Sequence, residues 1–154
     1  MTIDVSQQID ANSRTVNSNE AFLLESTWTF VTGTTGATGA HTLFTVTGNV
    51  LATVFGVCDT DLTGAATIEV GVGTNTAQLL AQIANATTLD DGDVYVDNAT
   101  EVGAGFIPAM QVINDGADII MTIGSTAVTA GVVDFYCLWR PLSEGSSVTV
   151  TTPA

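Results

Sequence analysis

Turn signals recur so often along this chain that short strands are expected in place of long regular elements. Short runs of β-branched and aromatic residues are cut by Gly, Asn and Asp about every 8–12 residues, the rhythm of an antiparallel sandwich or barrel. Phe22–Val31 mixes aromatic and β-branched residues that suit a pleated surface, and the three-glycine stretch Thr32–Ala40 has loop composition. His41–Thr47 alternates, with Leu43, Thr45 and Thr47 on one face and Thr42, Phe44 and Val46 on the other. Gly48-Asn49 then turns the chain into Val50–Cys58, which is apolar on both faces apart from Thr53.

Ala66–Val72 places Ile68, Val70 and Val72 on one face. In Ala77–Ala86 the spacing of Leu79, Leu80 and Ile83 predicts a helix capped by Thr76. Strands are expected again over Val94–Val96, Phe106–Ile113, Asp118–Ile123, Gly131–Arg140 and Ser147–Thr151. The expected fold is all-β, a jelly-roll-like or Greek-key β-sandwich with one short helix. It is expected to fill residues 20–154 as a single domain, preceded by a flexible or extended polar arm over residues 1–19. Gly131–Trp139 is apolar on nearly both faces, although an antiparallel sheet usually leaves one face wet. Such a strand belongs either in the middle of a sheet or beneath a subunit partner, which hints at an oligomer.

The charge is lopsided. Sixteen acids face only Arg14 and Arg140, with no lysine, giving a formal charge of −14. Nucleic-acid affinity is built from Lys and Arg contacts to phosphate, so no nucleic-acid partner is expected. No apolar run approaches the ~20 residues that cross a bilayer, and the first twenty residues lack the pattern of a secretory signal. Cytoplasmic synthesis without a membrane anchor is the expectation. Cys58 and Cys137 are too few for a zinc site and sit in apolar runs, where free buried thiols are the default.

The candidate chemistry is thin. Gly71-Val72-Gly73 before the expected helix resembles half of a dinucleotide-binding loop, but Thr76 occupies the third glycine position and no βαβ pattern follows. Asp59-Thr60-Asp61 and Asp90-Asp91-Gly92-Asp93 look like calcium loops but lack the twelve-residue spacing with its terminal glutamate. Asp and Gly are also ordinary turn residues. His41 is the sole histidine, no serine lies in a Gly-x-Ser-x-Gly setting, and neither cysteine has basic neighbours. The chain is therefore expected not to be an enzyme and to need no cofactor and no metal. Trp139-Arg140-Pro141 stands out, because Trp and Arg are enriched among interface hot spots and the proline stops further pairing. Either Trp139 lies in the core with Arg140 beside an acid, or the pair anchors an interface. Trp139, Arg140 and Arg14 are the candidate interface residues.

Val46-Thr47-Gly48-Asn49-Val50, Val54–Cys58 and Val128–Ser143 together resemble small β-rich virion proteins of tailed bacteriophages, among them capsid decoration (cement) proteins. The resemblance implies a jelly roll that forms a homo-oligomer, most simply a trimer, binds the major capsid protein and sits on the capsid surface of the virion. It carries no individual functional residue. The acidic exterior agrees with the outside of a shell, since it would repel packaged DNA. A receptor-binding or fibre-tip module recognising glycans, perhaps with calcium at Asp59/Asp61 or Asp90–Asp93, is the alternative. A glycan-degrading enzyme with paired carboxylates and a tail-tube or head-completion component stay open behind it.

Overall fold

Strand pairing rolls the chain into two packed antiparallel sheets. A computed structural model describes residues 21–97, 100–103 and 107–153. Among these, the strands in chain order are β1 (Phe22–Thr29), β2 (Gly39–Thr47), β3 (Val50–Thr63), β4 (Thr67–Val72), β5 (Asn75–Ile83), β6 (Asp93–Tyr95), β7 (Thr100–Val102), β8 (Gln111–Ile113), β9 (Ile119–Gly124), β10 (Ala130–Pro141) and β11 (Ser147–Val150). One sheet has the order β1-β10-β3-β6-β7, with β8 also paired to β3, and the other has the order β11-β2-β9-β4-β5. Within them β1 pairs with β10, β2 with β9, β3 with β6 and β4 with β5, all antiparallel. Nested pairing of that kind is a long ribbon folded over on itself, which is a jelly roll. The all-β sandwich expected from the sequence is therefore present, and its topology is decided.

The core lies between the sheets. Leu43, Phe44, Val54, Tyr95, Ile119 and Phe135 are among its fully buried members. β10 is the middle strand between β1 and β3. That position answers the doubly apolar run Gly131–Trp139, whose Val133, Phe135 and Cys137 point inward and are buried.

Several expectations are corrected. The segment Ala77–Ala86 is not a helix, for Asn75–Ile83 forms β5 and only Ala86–Thr88 makes a single 3₁₀ turn. The cause is bulging. Ile68 and Val70 of β4 face Ile83 and Leu80, so three residues of β5 span two of β4. A bulge of this kind sets buried residues three apart and imitates helical spacing. Gly71 makes room for the irregular strand, because a Cβ there would come within 2.1 Å of the Asn75 carbonyl oxygen. Gly73-Thr74 is the two-residue turn of this hairpin, since Val72 pairs directly with Asn75, and the half-match to a phosphate loop is a tight β-turn.

Asp59-Thr60-Asp61 is likewise not a turn but part of β3, where register shifts against β10 accommodate the extra length. At that place Gly131 has φ of +117°, and a Cβ on it would lie 2.5 Å from the Leu62 side chain. A further shift between Thr42 and Phe44 puts Leu43 and Phe44 both in the core, breaking the simple alternation expected for β2. The strand expected over Phe106–Ile113 is confined to β8, with Phe106 outside the described residues. The arm expected over residues 1–19 also lies outside them. No helix among the described residues is long and apolar enough to cross a membrane.

Candidate interaction face

The outward side of the β1-β10-β3 sheet carries the most distinctive surface among the described residues. Side chains alternate across a strand, and register fixes which ones share this side. Leu23 stands opposite Leu138, and Leu138 opposite Thr53. In the next row Glu25 faces Tyr136, and Tyr136 faces Phe55. The row beyond joins Thr27, Asp134, Val57 and Val94. On the other flank Arg140, Leu51 and Val112 are aligned.

Leu23 is 59% exposed and Val112 57%, while Leu51, Phe55, Tyr136 and Leu138 are half-buried. Phe55 and Tyr136 stack with ring centroids 5.1 Å apart and planes 16° apart. Thr53 alone in these rows is fully covered, and its hydroxyl donates to the Pro108 carbonyl at 2.8 Å. The result is an aliphatic and aromatic strip on a sheet face that water normally claims.

Polar groups border the strip in a fixed arrangement. Thr27 Oγ1 donates to Asp134 Oδ1 at 2.6 Å. Tyr136 stands opposite Glu25 in the ladder, and its pKa is raised first by burial, then by the charges of Glu25 and Asp134 and by hydrogen bonding to Glu25.

The three residues singled out from the sequence fall in different places. Trp139 points inward, is only 8% exposed, and stacks on Phe22 with ring centroids 5.0 Å apart. Its indole Nε1 is buried with no hydrogen-bond partner among the described residues. Arg140 is half-buried at an outward position in register with Leu51. Arg14 lies outside the described residues. What the sequence reading passed over is Leu23, Phe55, Tyr136 and Leu138 as a single surface. Its trace was visible in the two doubly apolar runs, but only the register shows that they are neighbours.

The acid clusters meet, although 30 residues separate them. Asp61 Oδ1 accepts from the Asp91 amide at 2.7 Å. Buried Asp93 accepts from the Asp90 amide at 3.1 Å. Both carboxylates thus brace a turn. Among the described residues no group of three or more His, Cys, Asp or Glu is arranged to hold a metal ion. His41 Nε2 donates to the Ala37 carbonyl at 2.7 Å, and its ring lies edge-on to Trp28. Both cysteines are free and buried. Burial pushes Cys137 up to about 12, and burial together with Asp61, Asp93 and Asp91 pushes Cys58 up to about 11.

No protein-family model matches the chain, and no curated protein matches it either. Among solved structures, a chain of the cyanophage Pam1 capsid asymmetric unit is similar, with a TM-score of 0.51 and 15% sequence identity. The likeness is one of fold. It covers 79% of this chain and 84% of that one, so the two chains are of nearly equal length.

Proposed function

We propose that this chain is a virion structural protein of a tailed phage, a decoration subunit that stabilises the capsid shell without catalysis. It does so as a homo-oligomer, most simply a trimer, bound to the major capsid protein on the outer surface. The observation that carries this reading is the shared fold and nearly equal length with a chain of a cyanophage capsid asymmetric unit. Three further features support it. The acid excess of −14 suits the exterior of a shell and not its DNA-facing side. The apolar strip beside Glu25 and Asp134 offers a surface for contact. The side chains most able to do covalent chemistry are occupied or quenched, with His41 held by Ala37 and both thiols kept protonated by burial.

Two measurements test the reading. The purified protein should have the mass of a trimer, with or without a calcium chelator. It should also cosediment saturably with shells assembled from the major capsid protein of the same virion. A monomer that ignores shells and binds a glycan array would replace decoration with receptor recognition.

A further inference from the structure

We infer that the outward side of the β1-β10-β3 sheet is the surface that meets the capsid shell, and that its partner presents lysine or arginine opposite Glu25 and Asp134 around an apolar centre. This rests on the decoration reading and adds the face and the chemistry of its partner. Exposed apolar strips of this kind mark contact surfaces, and two alternative occupants have to be weighed, a second copy and a different protein.

Charge decides between them. Each copy carries −14, and among the described residues Arg140 is the one basic residue of the face against Glu25 and Asp134. A second copy seated here would bring more carboxylates toward those two and almost no cation to offset them. Like charges across an interface cost several kcal/mol. A basic partner gains instead of losing, and the polar border is already ordered for it. Thr27 fixes Asp134, and Glu25 stands opposite Tyr136 in the ladder, so less side-chain freedom is lost on docking. Contacts between copies then belong to other surfaces of the sandwich.

Size points the same way. Three adjacent strands of about eight residues, ~4.8 Å apart, give a footprint of roughly 400 Å². A standard interface covers about 800 Å² per partner. One face alone therefore binds weakly, and tight attachment comes from several faces carried by one oligomer, whose linked contacts multiply affinity.

The test compares Glu25→Lys/Asp134→Lys and Leu23→Asp with wild type for cosedimentation with shells of the major capsid protein, at low and high salt. Glu69→Lys, on β4 of the opposite sheet, is the charge control. All altered positions lie at the surface, and circular dichroism and solution mass confirm folding and assembly. The expected result is binding weakened about tenfold or more in the two face variants, equivalent to about 1.4 kcal/mol, with the control unchanged and wild-type binding weakened by salt. Unchanged binding of the double charge variant overturns the basic-partner assignment. A changed solution mass in the face variants overturns it in favour of a second copy. Wild type that fails to bind shells overturns the decoration reading itself, and the docking face with it.

Discussion

The hydroxyl of Tyr95 lies 2.9 Å from the carbonyl oxygen of Ile68, across the interior from one sheet to the other. The same hydroxyl is 2.8 Å from the Ala81 carbonyl, so a single proton serves two acceptors on β4 and β5. Tyr95 and Ile68 are fully buried, whereas Ala81 lies at an exposed position. Replacing Tyr95 with Phe leaves the Ile68 carbonyl without its donor in an apolar interior, at a cost of about 1–3 kcal/mol. Urea unfolding followed by fluorescence should show that loss with an unchanged slope. Unchanged stability would mean that the contact does not hold the sheets together.

Burial of the thiols makes stability fall at alkaline pH. Unfolded cysteines titrate near 9.0, whereas Cys58 is held at about 11 and Cys137 at about 12. Between pH 9 and 11 the unfolded chain releases thiol protons that the folded chain keeps, so proton loss favours unfolding. The contribution is complete below pH 9 and is lost as pH rises, by up to about 1.4 kcal/mol per pH unit for each thiol. Urea midpoints at pH 8 and pH 10 should show the drop, and a Cys58→Ala/Cys137→Ala variant should show a smaller one. Tyrosines add to the fall in both proteins, which is why the difference between them is the quantity to read.

Gly71 is the residue on which the irregular β4–β5 hairpin depends. A Cβ there would meet backbone atoms of Asn75, Thr76 and Gln78, none of which can swing aside. Gly71→Ala should destabilise the protein by about 1–3 kcal/mol, whereas Gly73→Ala, with open space around it, should cost less. Equal effects at both positions would contradict the bulged packing.

Calcium should be irrelevant to stability. Asp61 and Asp93 already accept backbone hydrogen bonds that brace the β3–β6 region. Thermal melts with calcium and with a chelator should superimpose. A stabilisation by millimolar calcium that Asp61→Asn abolishes would show a cation site at the junction of the two acid clusters.

Much of the fold could be read from local pattern. Ile68, Val70 and Val72 alternate as written, and the doubly apolar Gly131–Trp139 run pointed to a strand either central or beneath a partner, of which the pairing shows the central position. The misreadings share a physical cause. Wherever a bulge adds a residue, at Leu80–Ile83 or Leu43-Phe44, the period of two is broken, and period is what sequence reading relies on. The meeting of Asp61 with Asp91 and the shared surface of Leu23, Phe55, Tyr136 and Leu138 arise from pairing between distant strands. Local spacing holds no record of that register. Trp139 was conspicuous by type, yet the side of the strand it occupies places it under Phe22 and away from the outer face.

The proposed decoration role requires that this chain strengthens a capsid by binding to it. The most direct measurement heats shells assembled from the major capsid protein, with and without saturating amounts of the chain, and follows their disruption by light scattering. Decoration predicts a disruption temperature that rises with occupancy and levels off at a fixed ratio of chain to shell subunit. A disruption temperature unmoved at full saturation, or no saturable binding at all, would contradict it.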